Sequence, residues 1–105
     1  MENKGKAETY LGFAIRAGKF RIGLNSLETL KKANLVIVCK SASENSKKQA
    51  DKIAKKLNAP LLETTEKSLA DMTHKANAKI MAILDPSLAK AIIDNLEKYF
   101  VARNF

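Results

Sequence analysis

Cysteine and histidine are almost absent from this chain of 105 residues, which contains one of each, Cys39 and His74. A lone cysteine excludes an intrachain disulfide and a cysteine-based metal cluster, and it fits a reducing compartment. We interpret Cys39, at the end of an apolar run, as a small core residue rather than a nucleophile. The chain also lacks a second histidine, a GxSxG elbow, a P-loop and a cluster of carboxylates. We therefore expect no catalytic residue, no metal site and no cofactor.

Long hydrophobic runs are missing as well. The longest apolar stretches, residues 35–39 and 80–84, are far too short to span a bilayer. The N-terminal residues 1–8 are polar and charged, unlike the apolar core of a secretion signal. We therefore expect a cytoplasmic protein that is neither secreted nor inserted in a membrane.

Positive charge is present in excess. Nineteen Lys and Arg residues against eleven Asp and Glu give a formal net charge of +8. Such a surplus indicates a polyanionic partner, of which nucleic acid is the commonest, although lysines also serve simply to keep a small protein soluble. The length suits a single domain over residues 1–105, which we expect to be a monomer.

The spacing of apolar residues predicts helices that alternate with short strands. We expect helices over residues 6–17, 24–32, 42–57, 67–73 and 86–100, and strands over residues 19–22, 35–39, 61–64 and 80–84. The run 35–39 is apolar on both faces, which is typical of a strand buried between two layers of helices. The order predicts an α/β fold, a three-layer α/β/α sandwich around a small mixed sheet of about four strands.

Local signals predict how three of the helices begin. Ser41 and Glu44 have the spacing of a capping box for the third helix, and Thr64 or Thr65 should cap the fourth. Asp85, followed by proline, should be the N-cap of the last helix.

Three further patterns have competing interpretations. We place Tyr10 and Phe13 in the core rather than on a base-stacking surface, because no other aromatic residue is interleaved with exposed basic residues nearby. The lysine-rich face of the third helix is either a solvated face or a long-range electrostatic patch. Gly18 and Gly23 lie five residues apart without a third glycine, so they only weakly suggest a dinucleotide site.

The stretch over residues 16–32 combines several features of a binding surface. Lys19 and Arg21 alternate with apolar residues in a short strand, where we expect them to contact phosphate. Gly23 then leads into the second helix, whose first turn contains Asn25. The start of a helix offers N–H groups and a partial positive charge, which suit a phosphate or the acceptor edge of a base.

Three loops should meet at one end of the sheet, over residues 23–26, 40–45 and 74–77, because each adjoins an element on the same side. They would present donors with little negative charge apart from Glu44, which suits a folded RNA whose base edges are exposed. For His74, a solvent-exposed position without a role in binding is the alternative. The donors are Asn25, Ser26, Lys40, Ser43, Asn45, His74 and Lys75.

Four segments resemble, in order and spacing, the kink-turn-binding ribosomal protein superfamily. They are RAGKFRIG before a leucine-spaced helix, LVIVCK leading into SASENSKK, LNAPLLE, and AKIMAILDPSLAKAI. This is the superfamily of the archaeal large-subunit protein seven-Ae and eukaryotic thirty-e, and the chain is similar to its small bacterial YlxQ-like branch over about residues 11–96. The resemblance implies a three-layer RNA-binding domain that grips the sheared G·A pairs of a kink-turn with its second helix.

The superfamily's pattern at that helix is Gly-x-Asn-Glu-x-x-Lys. Gly23 and Asn25 match it, whereas Ser26 and Thr29 stand at the Glu and Lys positions. His74 also stands where the bacterial branch has a glycine. With the loop residues above, the expected RNA-binding set is Lys19, Arg21, Gly23, Leu24, Asn25, Ser26, Thr29, Lys40, Ser43, Asn45, His74 and Lys75.

We therefore expect a non-catalytic, ribosome-associated protein that recognises a structured, kink-turn-like RNA through the start of its second helix. The alternative is a protein-interaction module on the same fold that has lost specific RNA recognition, as the changes at Ser26 and Thr29 would permit. An enzyme is the least favoured class, because catalytic motifs are missing and the chain is too short to add a catalytic domain.

Overall fold

A mixed sheet of five strands lies at the centre of the computed structural model, which describes residues 6–65, 68–75, 78–96 and 100–103. The strands are β1 (Phe20–Ile22), β2 (Leu35–Val38), β3 (Leu61–Thr64), β4 (Ile80–Ile83) and β5 (Phe100–Ala102). Their order across the sheet is β1-β4-β2-β3-β5. Only β2 and β3 run parallel, and the other neighbouring pairs are antiparallel. The predicted mixed sheet is confirmed, with one strand more than expected.

Helices cover both faces of this sheet. In the described ranges they are α1 (Lys6–Arg16), α2 (Leu24–Glu28), α3 (Glu44–Leu57), α4 (Leu69–Thr73) and α5 (Pro86–Asp94). Helices α1, α4 and α5 pack on one face, in a cluster that includes Leu11, Met72 and Ile92. Helices α2 and α3 pack on the other face through Leu27 and Ile53. The three-layer α/β/α sandwich is therefore confirmed.

Strand β2 is buried on both sides, as its apolar sequence predicts. Leu35 and Ile37 belong to the cluster with α1, while Val36 and Val38 belong to the cluster with α3. All four side chains are at most 1% exposed. Each contributes about 1.5–3 kcal/mol of burial free energy, so β2 ties the two layers of helices together.

The C-terminal part of the chain differs from the prediction. The last helix ends at Asp94 and does not continue to Phe100, which instead begins β5 and pairs with Thr64. The side-chain amide of Asn95 donates to the Ala91 carbonyl and helps to end the helix. Phe100 is 4% exposed and belongs to the same core cluster as the buried residues of α5. Its sequence spacing therefore continues the helical pattern, although Phe100 is not in the helix.

The second helix is also shorter than predicted, because it ends at Glu28 rather than near residue 32. Asn34 already donates from its backbone N–H to the Ile83 carbonyl and so aligns the chain with the sheet. Few residues remain for the turn between the helix and β2. A carbonyl at the C-terminus of α2 finds its donor in α3, because the Lys56 ammonium donates to the Glu28 carbonyl at 3.0 Å.

The caps of two helices fall on other residues than predicted. The N-cap of α3 is Ser43 rather than Ser41, and the N-cap of α4 is Ser68 rather than Thr64 or Thr65. Each serine hydroxyl accepts a backbone N–H three residues further on, which is the geometry of a cap. The Asp85 cap of α5 is confirmed, with its carboxylate accepting the Leu88 N–H at 2.9 Å.

Replacement of Ser43 by alanine should lower the free energy of unfolding by about 1 kcal/mol, because the first turn of α3 loses its side-chain acceptor. Ser87→Ala is the control, since Ser87 is exposed in the first turn of α5, whose N-cap is Asp85. We expect it to cost about 0.5 kcal/mol or less. Urea unfolding of both variants measures the difference, and an equal or larger loss for Ser87→Ala would contradict the assigned cap.

Helix α1 presents an aromatic residue to solvent. Its inward positions are the small or aliphatic Ala7, Leu11 and Ala14, whereas Phe13 is 42% exposed, so its predicted core position is wrong. Tyr10 is half-buried and packs against the core, so its predicted core position is confirmed in part. The Arg16 guanidinium lies 5.0 Å from the centroid of the Phe13 ring, where a cation–π contact compensates for the exposure.

Candidate nucleic-acid interface

Three strand ends and one strand start meet at one end of the sheet. Because β4 is antiparallel to both β1 and β2, its first residues lie beside the last residues of those strands. The Gly23 N–H donates to the Ile80 carbonyl at 3.0 Å, and the Cys39 N–H donates to the Lys79 carbonyl at 2.7 Å. The end of β3 joins them, since the Lys40 N–H donates to the Thr64 hydroxyl.

The first two predicted loops therefore begin side by side at this end of the sheet, at Gly23 and Lys40. Of the third loop, the Lys75 carbonyl accepts the Ala78 N–H shortly before β4. Ala76 and Asn77, which belong to the third loop, lie outside the described residues. The surface formed here is called the basic end of the sheet. We define it by Gly23, Asn25, Lys40, Lys75 and Lys79, together with Arg21 in the middle of β1, whose guanidinium donates to the Phe20 carbonyl at 2.7 Å.

The start of α2 is fixed by backbone geometry. Gly23 is the N-cap with φ +98° and ψ 146°, a conformation that is essentially restricted to glycine. No side chain caps the helix, so the N–H groups of its first three residues have no acceptor within α2. Leu24 packs against the core, whereas Asn25 and Ser26 are exposed. The Asn25 amide is thus presented to solvent from an anchored turn.

Lys79 belongs to the basic end but was not predicted from the sequence. Its ammonium donates to the Ser41 hydroxyl at 2.7 Å, which links the residue before β4 to the loop after β2. This proximity depends on the antiparallel pairing of β2 and β4, which apolar spacing does not reveal. The charge of Lys79 was visible in the sequence, but its position beside Lys40 was not.

The third loop contributes its two predicted residues in different ways. The Lys75 ammonium lies 5.7 Å from the centroid of the Phe20 ring, so it lies beside β1. His74 ends α4 in the left-handed conformation, with φ 58°, and is exposed. It lines a cavity of about 440 Å³ between α1 and α4, together with Glu8 and Arg16. His74 therefore adjoins α1 more closely than the start of α2.

Two residues of the expected set lie at a distance from the basic end. Lys19 lies at the opposite end of β1, where its carbonyl accepts the Leu84 N–H. Thr29 follows the last residue of α2, and its hydroxyl donates to the Ser26 carbonyl at 2.9 Å. Neither side chain is brought next to Lys40 or Lys79.

The remaining two predicted donors lie at the start of α3. The Ser43 hydroxyl is engaged in the cap, where it accepts the Ser46 N–H and contacts the Ser46 hydroxyl at 3.0 Å. Asn45 is exposed in the first turn, next to the carboxylate of Glu44. Asn45 is therefore better placed than Ser43 to donate a hydrogen bond to a ligand.

Cys39 lies beneath the basic end and is fully buried. Burial raises the pKa of its thiol, but hydrogen bonds with Ser41, Thr64 and the Leu69 N–H outweigh it and hold the pKa below its ordinary value of 9.0. The sulfur accepts the Leu69 N–H at 3.3 Å and lies 3.2 Å from the Ser41 hydroxyl. Cys39 therefore joins the loop after β2 to α4 from within the core.

The described residues form no group of three or more His, Cys, Asp or Glu side chains that could hold a metal ion. Helices of the length and apolar character needed to cross a membrane are also not found among them.

Comparison with known proteins identifies the fold. No protein-family model matches the chain, and no curated protein matches it. A solved structure, described as that of a protein with unknown function from Bacillus halodurans, is similar with a TM-score of 0.74 and 18% sequence identity. The match covers 87% of this chain and 96% of that chain. This likeness shows the fold alone.

Proposed function

We propose that the chain is a non-catalytic RNA-binding protein of the cytoplasm, associated with the ribosome, that recognises a kink-turn-like RNA. The observation that supports this most strongly is the convergence of basic loops at one end of the sheet. Arg21, Lys40, Lys75 and Lys79 are all exposed there, beside the exposed amide of Asn25. The net charge of +8 acts in the same direction by attracting a polyanion from a distance.

The side chains of the basic end are suited to two kinds of contact with RNA, to phosphates and to base edges. Lysine and arginine side chains bind phosphate oxygens, which fixes position without reading sequence. The Asn25 amide offers both a donor and an acceptor, so it can pair with a base edge that is not used in Watson–Crick pairing. Such edges are exposed where an RNA helix is interrupted.

The basic end has polar side chains on both faces of the sheet. Asn25 belongs to α2 on one face, whereas Lys75 follows α4 on the other face, with β1 between them. We propose that a bent RNA contacts both faces at once, as an interrupted helix exposes base edges beside its phosphates.

The alternative, a protein-interaction module on the same fold, is favoured by one local observation. The Thr29 hydroxyl donates to the Ser26 carbonyl at the end of α2, and neither residue supplies the carboxylate or the cation of the superfamily's pattern. The alternative predicts that a protein partner is still bound when the basic end carries negative charge.

A pair of double variants distinguishes specific RNA binding from general charge attraction. Arg21→Glu with Lys40→Glu reverses two charges at the basic end, and we expect RNA affinity to fall about tenfold or more through lost phosphate contacts. Lys31→Glu with Lys32→Glu changes the net charge equally, but both residues are exposed in the turn before β2. Fluorescence anisotropy with a labelled kink-turn RNA measures both affinities. Equal losses in the two double variants would contradict a localised interface.

A further inference from the structure

A cavity of about 440 Å³ lies between α1 and α4. Its volume falls within the range of about 300–1,000 Å³ that is typical of sites for small molecules. Glu8 and Arg16 line it from α1, and His74 lines it from the end of α4. None of these three residues belongs to the basic end. The cavity is therefore a second candidate site with its own set of polar side chains.

Gly12 leaves part of this cavity open. Glycine inside a helix is less favourable than alanine, because it loses more conformational freedom on folding. Packing does not require glycine at this position, since a Cβ added there would have no atom of a packed neighbour within 4 Å. Gly12 lines the cavity, so a larger side chain would extend into the same space. The missing side chain thus makes room for a ligand.

The polar groups differ between the inner part of the cavity and its opening. Glu8 is only 7% exposed, whereas Arg16 and His74 are exposed. Glu8 and Arg16 are eight residues apart on one face of α1, so their backbone positions are separated by about 12 Å along the helix axis. A ligand that contacts both must be elongated, with hydrogen-bond donors at its buried end and negative charge at its exposed end.

Apolar side chains form part of the remaining wall. Met72 is 3% exposed, and Ile15 is half-buried. The Thr73 hydroxyl is already engaged, because it donates to the Leu69 carbonyl at 2.8 Å and accepts the Lys75 N–H. Apolar surfaces beside a small number of polar groups suit a planar aromatic ring, as in pockets that hold an unstacked base.

We propose that this cavity binds a guanosine 5′-phosphate group, with the guanine edge at Glu8 and the phosphate at Arg16 and His74. Guanine presents two adjacent N–H donors, which one carboxylate accepts together. Adenine and cytosine place a ring acceptor beside their amino group, and this acceptor would face a carboxylate oxygen. Glu8 makes another interaction in the chain, but a carboxylate has about four acceptor positions and so retains capacity for the base.

The length of the ligand distinguishes a nucleotide from smaller charged molecules. In a free amino acid the ammonium and the carboxylate are bonded to one carbon, so they cannot reach Glu8 and Arg16 together. A nucleotide separates its base edge from its phosphate by the ribose. The group can belong to a free nucleotide or to an unpaired guanosine of an RNA, since the chemistry is the same. A mononucleotide has no bend, so the site can be tested independently of the proposed kink-turn recognition.

Isothermal titration of the full chain with guanosine 5′-monophosphate and inosine 5′-monophosphate tests the base contact. The inosine compound lacks only the amino group, so we expect it to bind about tenfold more weakly. Glu8→Gln removes one of the two acceptor oxygens and should reduce this preference to about twofold or less. Equal affinities of the wild type for the two nucleotides, binding of neither, or a preference that persists in Glu8→Gln would overturn the proposal.

A pair of variants locates the nucleotide without altering Glu8. Gly12→Leu places a side chain in the cavity, and the affinity for guanosine 5′-monophosphate should fall about tenfold or more. Leucine is a good helix former, so α1 should persist. Ala17→Leu adds the same side chain at an exposed position beyond the end of α1, and it should bind as the wild type does. Urea unfolding checks that both variants are folded, and equal affinities of the two folded variants would contradict binding in the cavity.

Two RNA pentamers distinguish the sources of the nucleotide. Both are single-stranded and uridine-rich, with a central guanosine in one and a central inosine in the other. If the site serves RNA, the guanosine pentamer should bind at least about tenfold more tightly than the mononucleotide, because flanking phosphates add contacts with nearby cations such as Lys75. If it serves a free nucleotide, the pentamer should bind no more tightly. A preference for guanosine over inosine that survives in Gly12→Leu would place the base elsewhere and overturn the proposal.

Discussion

Gly23→Ala is expected to lower the free energy of unfolding by about 1–3 kcal/mol. Gly23 has φ +98°, where an L side chain is strained. A Cβ placed there would have no atom within 4 Å, so the loss arises from the backbone and not from a clash. Relief of this strain would turn the first residues of α2 away from the basic end, and RNA affinity should fall as well.

Gly12→Ala is the matched control for this substitution. Gly12 lies inside α1 without a positive φ, and an added Cβ there also has open space. Alanine is the better helix former, so we expect a gain of about 0.5–1 kcal/mol. The denaturation midpoints of the two variants should move in opposite directions from the wild type. An unchanged or raised midpoint for Gly23→Ala would contradict the assigned backbone conformation of Gly23.

Asn25→Ala is expected to reduce the affinity for a kink-turn RNA by about 1–3 kcal/mol, the usual loss when an amide no longer pairs with a base edge. Asn25 is exposed in the first turn of α2, beside the anchored Leu24. Because the Asn25 side chain makes no hydrogen bond with another residue in the described part of the chain, stability should change by about 0.5 kcal/mol or less. The substitution should thus lower RNA affinity and leave the free energy of unfolding almost unchanged.

Ser26→Ala provides the comparison at the neighbouring position. Ser26 is equally exposed, and it stands where the superfamily's pattern has a carboxylate. A single hydroxyl supports at most one neutral hydrogen bond, so the expected loss is about 0.5–1.5 kcal/mol. Isothermal titration of both variants with the same RNA gives the two values. An unchanged affinity for Asn25→Ala would place the base-contacting site elsewhere on the molecule.

Much of the fold could be predicted from sequence because burial on two faces leaves a local signature. The continuous apolar run of β2 indicates a central strand, and the proline after Asp85 marks the start of α5. The missed elements depend on contacts far apart in the chain. Phe100 continues a helical spacing by chance, and its place in β5 depends on pairing with Thr64.

The candidate site was predicted as a set of loops more accurately than as a set of side chains. Gly23 and Lys40 directly follow β1 and β2, and both strands end beside the start of β4. Apolar spacing does not reveal that β4 is antiparallel to β2, so it neither places Lys79 beside Lys40 nor separates Lys19, at the far end of β1, from the site. The sequence also does not show which side chains already have a hydrogen-bond partner, such as the Ser43 hydroxyl, which caps α3.

The affinity of the wild-type chain for a kink-turn RNA, compared with a straight duplex of equal length at several salt concentrations, tests the central claim most directly. We expect the kink-turn to bind about tenfold or more tightly at every salt concentration, because the Asn25 contact is absent from a regular duplex. Contacts from about four cations should give log affinity a slope of about −3 to −4 against log salt. Equal affinities that vanish together as salt rises would contradict specific recognition and leave only electrostatic attraction.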